Sequence, residues 1–333
     1  MNLHYYYILF LFSSFTFVWI GCDTTPTPIS SIEDYKGTGS VTQGAATTVT
    51  TNLLNCNNSR VSAIGTILSV DATTTWTVPA STIYTTGTYA PDLYNECSGT
   101  QYNNSSAIDW NNVPVVEVDA NGSEIITAYL FSDNYFELYI NGTLIGIDPV
   151  PFTPFNSNVV RFRVNKPYTI AAKLVDWEEN LGLGTENNQG SAYHPGDGGF
   201  VAVFKDANNH IVAKTDNNWK AQTFYTAPVY DLTCLAESGN ARQSSSCSTT
   251  GVSDGSQAYG VHWSIPNNWK EASFDDSVWP SATTYSNSTI GVNNKAAYTN
   301  FTDIFDNASN DAEFIWSTNV VLDNLVLVRH TVQ

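Results

Sequence analysis

Ser132–Gly146 reads "SDNYFELYINGTLIG", and this stretch decides the fold. Phe136, Leu138 and Ile140 fall on one face of an extended chain, and Tyr135, Glu137 and Tyr139 on the other. That alternation is the period-two pattern of a strand. Asn141-Gly142 follows, a pair able to take the positive φ angles of a type I′ turn whose twist matches two paired strands. Leu144 and Ile145 resume the strand, so the stretch predicts a β-hairpin.

Similar segments surround it. "RVSAIGTILSV", "TTWTVPA", "VPVVEV", "EIITAYLF", "VVRFRV", "TIAAKLV", "FVAVFKD" and "HIVAKTD" are short and β-rich, and Asn121-Gly122 marks another turn. No long helical period interrupts them; short helical turns are expected at "SIEDYK" and "NNWKEASFDD". Many short strands with regular turn signals predict an all-β sandwich or barrel.

Composition narrows the function. Charged residues are only 13% of the 333, while aromatics reach another 13%. Such a chain has aromatic surface to bury and is not a disordered one. Acidic residues number 31 against 13 basic, a formal charge of −18. No Lys/Arg cluster is available to neutralise phosphates, which argues against nucleic acid and against docking on anionic lipid.

The first 22 residues, "MNLHYYYILFLFSSFTFVWIGC", form a short apolar run ending at Gly21-Cys22. The run has the length of a signal-peptide core rather than a membrane span. A small residue before Cys22, then "DTTPTPISS", resembles a lipoprotein processing site; a plain cleaved signal and an uncleaved anchor are the alternatives. Any membrane attachment is expected through this N-terminus alone, and the protein is expected to be secreted or at the cell surface. Residues 23–50, rich in Thr, Ser and Pro, read as a tether. Residues 51–109 read as a β-rich extension and 110–333 as the sandwich.

Apart from Cys22, four cysteines remain. An even number in an exported chain suggests disulfides, and proximity favours Cys56–Cys97 and Cys234–Cys247 among the three possible pairings. No CxxC occurs, and the five His lack zinc spacing.

The hairpin is followed in order by "VVRFRV", "YTIAAKLVDWEENLG" and "GGFVAVFKDANNHIVAKTDNNWKA". This order resembles the galactose-binding-like jelly rolls that accompany bacterial α-rhamnosidases and related glycoside hydrolases. Asp133, Asn134, Tyr139, Asn141, Gly142, Asp216, Trp219 and Lys220 stand at matching positions. "NNWKEASFDDSVWPSA" and "AEFIW" resemble a later Trp–FDDS–Trp element and the closing strand of the same families. The likeness covers roughly residues 110 to 333. It implies a jelly-roll β-sandwich serving as a sugar binder, an adhesion module or a spacer, and such folds host many functions. "FDDSVW" itself reads as a structural clasp.

Candidate site residues lie outside the strands. The loop "DWEENLGLGTENNQGSAYHPGDGG", residues 176–199, is long and rich in Gly and Asn. Asp176, Glu178 and Asp197 suit a calcium ion, which takes carboxylate and carbonyl oxygens on irregular loops. Trp177 and Tyr193 suit a sugar-stacking platform, with His194 beside them and Asn134 at the hairpin entrance as a polar ligand. A solvated loop under a core Trp177 is the third reading. Trp263, beside His262, is either another stacking aromatic or a buried Trp. Glu178 and Glu179 are adjacent on the chain and make a poor catalytic pair. No G-x-S-x-G elbow is present. The resembled hydrolases carry catalysis on a separate helical barrel, and no such helical pattern occurs here. The expectation is a non-catalytic protein binding an extracellular glycan or polysaccharide. A glycan hydrolase or lyase, and a structural protein without a small ligand, are the alternatives.

Overall fold

A computed structural model describes residues 31–188, 190–239, 241–250, 254–308 and 311–333. The signal-peptide reading of residues 1–22, with Cys22, lies outside them. The fold is all-β: a seven-stranded and a nine-stranded sheet face each other. Across the seven-stranded sheet the order is Ser40–Gln43, Tyr259–His262, Lys220–Val229, Asp323–Val332, Tyr168–Val175, Tyr135–Ile140 and Thr143–Ile147. At the centre of the nine-stranded sheet, Gly199–Lys205, Glu124–Asp133 and Ser157–Val164 pair antiparallel.

The hairpin forms as its sequence dictates. Thr143 pairs with Ile140, and Asn141 and Gly142 take φ of 49° and 84°. A Cβ at Gly142 would meet only the movable carboxylate end of Glu271, so it is the positive φ that needs glycine at this turn.

Phe136, Leu138 and Ile140 enter the core between the sheets. Phe136 meets Phe200 of the opposite sheet at 6.5 Å, and Phe162 meets Tyr168 at 5.9 Å. Each buried ring contributes roughly 2 kcal/mol relative to exposure.

The other hairpin face is buried as well, which alternation did not predict. Tyr135 and Tyr139 belong to a second core with Val78, Tyr84, Trp269 and Trp279. That layer comes from residues before the hairpin and from the "FDDSVW" region. Arg329, almost fully buried, locks the latter in place. Its Nε donates to Asp276 Oδ2 at 2.8 Å, and its guanidinium also donates to the carbonyls of Trp269, Glu271 and Phe274. The "FDDSVW" element is thus a clasp, though its flank folds as turns rather than as the expected helical turn.

Two proposed boundaries shift. Part of the supposed tether is structural: Ser40–Gln43 is the edge strand beside Tyr259–His262, and Thr47–Thr50 starts a separate three-stranded sheet. The supposed extension is not separate either, since Asp92–Asn95 and Thr100–Gln101 extend the nine-stranded sheet. Composition misled here because Thr-rich segments serve both linkers and strands. Both disulfides form as expected, Cys56–Cys97 and Cys234–Cys247, with Cα separations of 5.4 and 4.9 Å. Disulfides fit an oxidising compartment. Among the described residues, no helix is long and apolar enough to cross a membrane.

Candidate functional site

The chain crosses from one sheet to the other at Asp133–Asn134, between Glu124–Asp133 and Tyr135–Ile140. That crossing gathers strand ends. Gly199 pairs with Asp133, which brings Asp197 close, and Val175 pairs with Tyr135, which brings Asp176 beside Asn134. Asn134 fixes the corner. Its Oδ1 accepts from the Trp177 N–H at 2.6 Å, and its Nδ2 donates to Asp133 Oδ1 at 2.6 Å.

A small cavity of about 80 Å³ opens at this corner. Asp133, Asp176, Asp197, Glu186, Asn134 and Arg60 contribute to its wall. Glu186 is held by an ion pair with Arg60, and His194 Nε2 lies 3.2 Å from its other oxygen. Asp176 is only 4% exposed, yet no described residue donates a hydrogen bond to its carboxylate. A Cβ at Gly196 would sit 3.0 Å from Asp176 Oδ1, so glycine leaves room for that carboxylate.

Electrostatics follows from this crowding. Burial, then the charges of Asp197 and Glu186, push Asp133 well above the usual carboxylate range. Burial, then Asp133, Glu186 and Asp197, do the same to Asp176. Asp197 rises to about 6, mainly through burial and Glu186, with His194 opposing. Perturbed carboxylates in a cleft mark a functional-site candidate.

The cavity adjoins a larger open cleft of about 420 Å³, and the two share Arg60, Thr153 and Phe155. Asn58, Asn188 and Asn294 line the outer cleft with Tyr94, Glu96 and Lys295. The Cys56–Cys97 bridge joins the chain carrying Asn58 and Arg60 to the chain carrying Tyr94 and Glu96.

The candidates from the sequence fare unequally. Asn134, Asp176 and Asp197 meet in the inner cavity. Glu178 does not join them: its carboxylate accepts the N–H groups of Gly182 and Gly184 and the Tyr225 hydroxyl, and burial raises it to about 7. It organises the loop. Trp177 is 1% exposed, donates from Nε1 to the Ala63 carbonyl and packs edge-on to Tyr135. Trp263 is 6% exposed, with Nε1 on Glu237 and Arg242 over its ring. Neither is a stacking platform, because each fills a core that alternation left unseen. Tyr193, 39% exposed, lies outside both cavities, and His194 acts through Glu186.

Glu186 stood among the carboxylates of the 176–199 loop, but Arg60, Asn294 and Lys295 were not legible as partners. Their one legible signal was position, at the ends of β segments or in Asn-rich turns. No known protein family, curated protein or solved structure matches this chain.

Proposed function

We propose that this is an exported, non-catalytic binding protein of galactose-binding-like type, whose outer cleft takes the end of an extracellular glycan. One observation carries the reading: the 420 Å³ cleft, walled by three asparagines with Tyr94, Glu96, Arg60 and Lys295. Its size falls within the roughly 300–1,000 Å³ of ligand sites. Amides, a carboxylate and two cations offer donors and acceptors to hydroxyls, and Tyr94 offers an apolar wall. Export is supported by the two disulfides and by the apolar leader, and an anchor at Cys22 belongs to the same reading.

The test is a glycan array followed by calorimetry with the best ligand. Asn294→Ala with Asn58→Ala should weaken binding at least tenfold without release of reducing ends. The raised carboxylates favour a second reading, a glycan hydrolase using one of them as proton donor. Reducing ends released by the wild type and lost in Asp197→Asn would establish it. No glycan signal, with capture of a defined protein partner, would leave a structural or adhesion role.

A further inference from the structure

We propose that the inner cavity binds a primary ammonium group, through the carboxylates of Asp133, Asp176 and Asp197, so that the preferred ligand carries a protonated amine. The proposal deepens the glycan reading and rests on it for the rest of the ligand.

Charge balance comes first. Arg60 and His194 face Glu186, which leaves three aspartates on the wall. Among the described residues no Lys or Arg forms an ion pair with any of them. Burial and mutual repulsion push Asp133 and Asp176 toward their neutral form, and a cation seated against them would favour the charged one.

Hydrogen bonding points the same way. Asp176 accepts no hydrogen bond from a described residue, and neither does Asp197. Asp133 has one donor, Asn134, on Oδ1. The donors on the wall, Arg60 and Asn134, are engaged by Glu186 and Asp133, which leaves Asp176 and Asp197 without one. A carboxylate without donors invites a cationic donor, since charge-assisted bonds are the strong ones.

The form of the cation follows from geometry. Among the described residues no three Asp, Glu, His or Cys side chains gather closely enough to hold one metal ion. An ammonium needs no full sphere of protein ligands: its three N–H donors can be shared between one or two of these aspartates and water, whereas a guanidinium is planar and favours one bidentate partner. At about 80 Å³ the cavity admits a small group and not a sugar ring, so the ring stays in the outer cleft.

Calorimetry with two oligosaccharides of equal length tests this: an oligomer of glucosamine and its fully N-acetylated counterpart. At pH 6, where the amines are largely protonated, the wild type should bind the amine form at least tenfold tighter. Asp176→Asn should erase that preference while keeping the weaker affinity for the acetylated form. Equal or better binding of the acetylated oligomer, or a preference that survives Asp176→Asn, overturns the proposal. If neither oligomer binds, the glycan reading fails by itself. Methylammonium titration then decides the cavity: Asp176-dependent binding supports the ammonium site, and none overturns it. A calcium-dependent, EDTA-reversible rise in melting temperature that Asp176→Asn removes would assign the cavity to a metal, and also overturns the proposal.

Discussion

Glu137 and Asp176 are both buried acids of the seven-stranded sheet, and they are treated in opposite ways. Glu137 is fully buried and fully answered. It accepts from the Tyr139 hydroxyl at 2.8 Å, the Tyr135 hydroxyl at 3.3 Å and the Ile83 N–H at 3.0 Å, and Lys173 Nζ lies 2.9 Å away. Asp176, just past the end of Tyr168–Val175, has three acidic neighbours on the same cavity wall and no donor among the described residues. The first acid fastens a covering layer to the sheet. The second is left open where strand ends converge on a cleft. Folding explains the one completely; the other is the acid we propose a ligand answers.

The largest test strikes the completed acid. Glu137→Ala removes the partner of the Tyr135 and Tyr139 hydroxyls and of the Ile83 N–H and leaves Lys173 only the Ser81 carbonyl, and urea unfolding should show a loss of about 3–5 kcal/mol. A loss below 1 kcal/mol would erase the contrast. Removing the Cys56–Cys97 bridge, as the double Ser variant, comes next. The bridge spans 41 residues, so the loop-entropy ceiling is about 4 kcal/mol. The same variant should weaken ligand binding, because the bridge joins the two walls of the outer cleft. Unchanged affinity would separate that cleft from the site.

Asp323 sharpens the comparison by pH. It is fully buried, and burial raises it to about 6 even though Thr226, Ser244 and Ser317 donate to it. An unfolded aspartate ionises near pH 4, so between pH 4 and 6 the folded state holds the extra proton. Its contribution is therefore complete below pH 4 and is lost as pH rises from 4 through 6, by on the order of 3 kcal/mol. Asp323→Asn should flatten the stability–pH curve by that amount, and an unchanged curve would count against a raised aspartate there.

How much of this was legible in sequence depended on range. The hairpin was, because Phe136, Leu138, Ile140 and Asn141-Gly142 act locally. Both disulfide pairings followed proximity. The second core was not, because Tyr135, Glu137 and Tyr139 look like a solvent face until residues 63–84 and 265–282 cover them. For the same reason Trp177 and Trp263 looked available for stacking. Asp176 and Asp197 could be picked from a loop rich in acids. Their meeting with Asp133 depended on strand register across two sheets, which no local pattern encodes.

The smallest expected effect is the most telling. Equilibrium urea unfolding of Asp176→Asn against wild type, at pH 8 and without ligand or metal, asks whether this carboxylate serves the fold. A carboxylate kept for a ligand predicts a variant at least as stable as wild type, since a neutral amide relieves the crowding of a buried acid against Asp133, Glu186 and Asp197. A loss of more than about 2 kcal/mol would show that Asp176 is structural, like Glu137, and would contradict the contrast.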